Sequence, residues 1–150
     1  MDLNRITAEL DFVGSSIHNV EIKADMVTIS NETKKTFGLD IKCSNPLVKG
    51  NEKFGKLLML VEVSLFKEDP EVEPDTFKIV IEGMFKTSSD VNDEKFMELL
   101  NVNGGAALFS IARSKIELMS SLTYSEGKIV LPMINIIQYF SERNTANDND

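Results

Sequence analysis

Apolar residues alternate with polar ones through the first half of the chain and recur at helical spacing after about Asp90, so the pattern predicts strands first and helices second. Phe12 to Lys23 alternates weakly, with Ile17, Val20 and Ile22 apolar and a bulge expected near Gly14. Thr36 to Ser44 alternates cleanly, with Phe37, Leu39, Ile41 and Cys43 on one face and Asp40 and Lys42 on the other. Lys56 to Lys67 sets Leu57, Met59, Val61, Val63 and Leu65 against Leu58, Leu60, Glu62, Ser64 and Phe66. Being apolar on both faces at its start, it reads as a central strand or one covered by another subunit. Thr76 to Phe85 places Phe77, Ile79 and Ile81 opposite Lys78, Val80 and Glu82. The loop between these last two strands holds Pro70 and Pro74, so they read as antiparallel neighbours.

Asp93 to Leu100 is a short helical segment with two acids in its first turn, where the helix dipole favours them. Asn103-Gly104-Gly105 then reads as a break. Ala106 to Leu122 has no glycine or proline and carries Leu108, Ala112, Ile116, Met119 and Leu122 as an apolar stripe. A loop with Gly127 follows. Pro132 suits the first turn of a final helix, Met133 to Phe140, that is apolar on nearly every side. Four strands followed by helices predict an α+β fold: a four-stranded antiparallel sheet packed with a long helix and a short C-terminal helix. A chain of 150 residues suits one domain, expected over 1–142, and the polar stretch 143–150 reads as a disordered acidic tail.

Composition removes several function classes. A net charge of −8 and scattered basic residues argue against nucleic-acid binding. The one cysteine and one histidine fall short of a metal-ligand set, and no nucleotide-binding or nucleophile motif occurs, so no cofactor, metal or catalytic residue is expected. Cys43 fits a small buried hydrophobe better than a nucleophile, and His18 sits in a polar setting. Apolar runs are too short or interrupted to span a bilayer, and the start lacks a signal-peptide pattern, which makes the cytoplasm the expected location. The acidic run Glu68–Asp75 reads either as a solvated turn or as a docking patch for a basic partner.

The run Leu108-Phe109-Ser110-Ile111-Ala112-Arg113, with Ile116, Met119 to Leu122, Ile129 to Pro132 and Ile134-Asn135, resembles the C-terminal half of SecB, the protein-export chaperone family. Glu82-Gly83-Met84-Phe85 resembles the G-x-F end of that family's fourth strand. The motif-like likeness covers roughly the last third of the chain, and the family's two prolines near its final helix are reduced to Pro132.

The resemblance implies an ATP-independent holdase of unfolded or precursor polypeptides, assembled as a homotetramer (a dimer of dimers) that hands its clients to the SecA motor. It implies client grooves lined by the second and fourth strands, here Leu39, Ile41, Cys43, Phe77, Ile79 and Ile81. Beside them, the loop Thr123–Val130 would add Tyr124 and Ile129, with its glycine letting it shift. The family's acidic motor-docking positions fall on Asn19, Lys23 and Lys78, none of them acidic. Two readings therefore stand: a general holdase, and a dedicated SecB-like protein for one partner such as an antitoxin. In either, the stripe of Leu108, Ala112, Ile116 and Met119 is expected to face a symmetry mate.

Overall fold

The computed structural model describes residues 9–25 and 28–147. Four long strands form its antiparallel sheet: β1 (Asp11–Lys23), β2 (Lys35–Cys43), β4 (Glu52–Leu65) and β5 (Asp75–Ser88), in the order β1-β5-β4-β2. A short β3 (Leu47–Lys49), which the sequence pattern did not reveal, pairs with the start of β4 across a turn at Gly50. Helix α1 (Asp93–Leu99), a π-helical segment Leu100–Gly104, α2 (Gly105–Thr123) and α3 (Ile136–Asn147) complete the α+β architecture.

Register explains where the core sits. Row by row across the sheet, Phe37 meets Val63, Phe77 and Ile22; Leu39 meets Val61, Ile79 and Val20; Ile41 meets Met59, Ile81 and Ile17. All of these belong to the helix-covered face. The two central strands are sealed on that face, every odd residue from Lys53 to Leu65 and from Asp75 to Thr87 being buried. The edge strand β1 carries bulges at Val13, beside the expected Gly14, and at His18, a common device for edges that must not pair freely.

The glycine pair does not break the helix. Gly104 and Gly105 both have right-handed helical dihedrals, and the Gly105 N–H donates back to the Leu100 carbonyl across a π turn. Their service is closeness: a Cβ on Gly104 would stand 3.1 Å from Leu57, and one on Gly105 3.4 Å from Ile136. The π turn also absorbs one residue of helical phase. Phe96 and Leu100 therefore share a buried face with Leu108, Ala112 and Ile116.

Pro132 does not open the last helix. Residues 128–135 run without regular structure past the sheet with Ile129 and Leu131 buried, and Asn135 Oδ1 accepts from the Gln138 N–H to cap α3. Helix α3 then continues through Asn147, past the boundary expected at 142; residues 148–150 of the expected tail lie outside the described residues.

The connection from β1 to β2 must cross from one sheet edge to the other. It does so against the loop after α2: Thr28 bridges Glu126, and the Ile29 N–H donates to the Glu126 carbonyl at 2.9 Å. Buried Asp75 fixes this corner. Its carboxylate accepts from the Asp25 N–H (3.2 Å) and the Tyr124 hydroxyl (3.1 Å), and pairs with Lys67 at 3.2 Å.

Candidate functional site

The sequence-derived stripe on α2 is largely interior. Leu108, Ala112 and Ile116 are buried against the chain's own β4 and β5, with Met119 half-buried beside them. Gly83 makes that contact possible, since a Cβ there would stand 3.0 Å from Leu108. The sequence placed this stripe against a symmetry mate; within the chain it packs on the sheet. A one-sheet α+β chain has a single helix layer, and the best apolar face of its longest helix goes to the intramolecular core first.

The groove residues divide in a similar way. Phe77, Ile79 and Ile81 are central-strand residues under α2, and Tyr124 and Ile129 are buried with them. Tyr124 stacks 5.9 Å from Phe77, and burial together with neighbouring Asp75 pushes its phenol well above the usual tyrosine range. Gly127 is no loosening point either. Its φ is +82°, and a Cβ would lie 2.1 Å from the Ile29 carbonyl oxygen, so the glycine lets two backbones touch rather than move.

Ile41 is buried, whereas Leu39 and Cys43 are half-buried near the β2 edge. The Cys43 thiol donates to Asn101 Oδ1 at 2.7 Å. Burial raises its pKa, with Arg143 opposing, which leaves a satisfied thiol rather than an activated one.

What remains open is the outer end of some rows. Phe37 on β2 is 43% exposed and Ile22 on β1 42%, while Val63 and Phe77 between them are 0% and 1%. Helix α2 covers the two central strands and α3 reaches β2 only near Ile41, so both edges still show apolar side chains on the covered face. On the β1 side these are Phe12, Ile17 and Ile22. The segment after α2 contacts the α2 flank bearing Arg113 and Glu117, through Met133 and Lys128. Leu118 and Leu122 are exposed, off the buried face of α2.

On the β2 side, α3 and the π segment frame two open clefts of about 430 and 410 Å³ that share Asn101 and Phe140. Met97, Ile41 and Cys43 line one, and Val102 and Ile137 the other. Sequence reasoning did not bring Asn101 and Arg143 to these clefts, because the glycine pair suggested a break and Arg143 was assigned to a tail.

Charged residues line these clefts too: Lys95 and Glu98 in one, Lys42 and Arg143 in the other. Asn19, Lys23 and Lys78 share the opposite face of the sheet, by the β1–β5 register. In the acidic run, Asp75 is buried, and Glu73 pairs with Lys23. Among the described residues no helix is long and apolar enough to cross a membrane.

No family model matches the sequence, and no curated protein is similar to it. The fold is similar to that of a SecB-like chaperone from Mycobacterium tuberculosis, solved in complex with a ChAD peptide from the HigA1 antitoxin. The TM-score is 0.56 at 9% identity, over 88% of this chain and 95% of that one. The chain thus has a SecB-like fold, with apolar residues exposed at both edges of its sheet.

Proposed function

We propose that this protein is an ATP-independent holdase that binds extended apolar segments of unfolded polypeptide. The observation that carries the reading is the uncovered outer ends of the apolar rows, Phe37 at one edge and Ile17 and Ile22 at the other, on a SecB-like fold. Monomers rarely leave such patches unused. In this reading client chains lie along the edges and clefts. The expected set is therefore redistributed: Leu39 and Cys43 stay in the site, while Ile41, Phe77, Ile79, Ile81, Tyr124 and Ile129 hold the floor beneath it.

The working assembly is a homotetramer, a dimer of dimers, in the cytoplasm. Its contacts are the β1 edge with Leu118 and Leu122, in place of Leu108, Ala112 and Ile116. No cofactor, metal or catalytic step enters. If precursors are passed to SecA, the acidic loop before Asp75 is the surface left for docking.

A dedicated-partner reading is favoured by the similar structure, in which the bound ligand is an antitoxin peptide. The test is suppression of aggregation of several unrelated denatured proteins, at stoichiometric ratio and without nucleotide. Protection of all of them supports the general holdase. Protection of none, with tight binding of one antitoxin, supports the dedicated reading, and neither behaviour would refute both.

A further inference from the structure

The hydrogen-bond phase of β2 singles out its odd residues. The Phe66 N–H donates to the Lys34 carbonyl and the Ser44 N–H to the Lys56 carbonyl, so the paired positions of the β2–β4 ladder are the even ones. Lys35, Phe37, Leu39, Ile41 and Cys43 therefore turn their backbone N–H and C=O away from β4, toward the edge of the sheet where no strand follows. At one of these, Ile41, both groups are taken by side chains of α3. The Ile41 N–H donates to the Tyr139 hydroxyl at 3.0 Å, and Arg143 donates to the Ile41 carbonyl. Arg143 also lies 3.4 Å from Asp40 on the same strand.

We propose that the β2 edge is a strand-accepting site, and that Tyr139 and Arg143 are a removable cap that holds it closed at Ile41. Two side chains, one donating and one accepting, stand in for the backbone of an added strand. An extended chain offers the same pair with better alignment and repeats it at Phe37, Leu39 and Cys43.

The helix carrying the cap is held on one side only, with Tyr139 and Phe140 half-buried against the core. Ile136 is buried, but Ile137 is 65% exposed, and the open clefts lie on both sides of Phe140. The occupant is an extended segment of unfolded polypeptide with apolar residues at alternate positions. Half of its side chains then fall on the helix-covered face beside Leu39 and Cys43, toward the cleft lined by Met97 and Phe140. A second copy fits less well. An isologous β2–β2 contact brings both α3 helices to the same edge, so both caps would have to leave at once.

This inference rests on the holdase reading and gives it a binding mode. The probe is a fluorescein-labelled peptide alternating valine and threonine, compared with two versions N-methylated on one or the other alternate set of residues. One methylated set is expected to abolish binding and the other to leave it unchanged, since only one set of amides faces β2. On binding, amide exchange at Phe37, Leu39 and Cys43 is expected to slow. The double variant Tyr139→Phe, Arg143→Met removes one neutral and one charge-assisted bond while keeping the side-chain stems. It is expected to speed exchange at Ile41 and to tighten peptide binding about tenfold.

Equal losses from the two methylated sets, or binding without slowed exchange at the odd residues, would overturn strand addition while leaving the holdase reading standing. If the peptide fails to bind and unrelated denatured proteins still aggregate, the holdase reading itself has failed. Self-association of the double variant through β2, in place of peptide binding, would assign the edge to a second copy and overturn the proposed occupant.

Discussion

Gly127→Ala tests whether the loop after α2 is pinned or pliable. Alanine at φ +82° meets the left-handed penalty of about 1–2 kcal/mol. Its Cβ would also stand 2.1 Å from the Ile29 carbonyl oxygen, far inside van der Waals contact, and that atom belongs to backbone rather than to a flexible side chain. The β1–β2 crossover must then withdraw. That breaks the bond from the Ile29 N–H to the Glu126 carbonyl, a net loss of about 0.5–1.5 kcal/mol. Uncovering Ile29, buried in the core, adds about 1.5–3 kcal/mol. The sum is about 3–6.5 kcal/mol, a large share of the roughly 5–15 kcal/mol that holds a domain folded.

Urea unfolding followed by far-ultraviolet circular dichroism reads this directly, since the chain has no tryptophan. Gly14→Ala is the control: nothing lies within 4 Å of its Cβ, and the change should stay within about 0.5 kcal/mol. A loss below about 1 kcal/mol in Gly127→Ala would refute the pinning argument and return the loop to the set of movable elements.

Ile116→Glu buries an unpaired carboxylate between α2 and the sheet and should unfold the chain, while Leu122→Glu should leave circular dichroism unchanged and lower the mass measured by light scattering. Stability should fall in alkali above about pH 10, where unfolded tyrosine and lysine lose their protons. Burial and Asp75 raise the Tyr124 pKa, and bonds to Asp25 and Asp75 raise that of Lys67, so both groups stay protonated in the folded state longer than in the unfolded one. Their stabilisation is then complete below the unfolded pKa values and drains as pH climbs toward the folded ones. Tyr124→Phe should flatten part of that decline in urea titrations at stepped pH. Ile22→Ser and Phe37→Ser should each weaken the binding of an unfolded client about fivefold, for roughly 1 kcal/mol of apolar contact, with urea midpoints little changed.

The strands were legible because alternation is a local signal: Phe37 to Cys43 and Leu57 to Leu65 announce their faces without help from the rest of the chain. Strand order was not. Nothing local says that β1 joins β5, and that placement decides why Ile22 is open while Phe77 in the same row is sealed. The glycine pair misled because glycine marks both breaks and close approaches, and only the positions of Leu57 and Ile136 tell which. The same ambiguity made Gly127 look like slack. Arg143 looked like tail because its partner, the Ile41 carbonyl, lies 102 residues away. The stripe on α2 was legible as apolar, but its packing on the chain's own sheet was not, since periodicity reports that a face is buried and never by what.

The π turn at Leu100–Gly104 has a consequence for how this helix tolerates change in length. An ordinary α-helix turns by about 100° per residue, so losing one position would swing everything downstream off the sheet. Here one residue is already surplus to the helical phase. Deleting a single position between Asn101 and Asn103 should relax the bulge into regular helix and leave Leu108, Ala112 and Ile116 where they are, whereas adding one there should carry them away from the sheet. Chains of this architecture that are one residue shorter at this point would superimpose without a shift, and their alignment with this sequence would place its gap in the middle of a continuous helix.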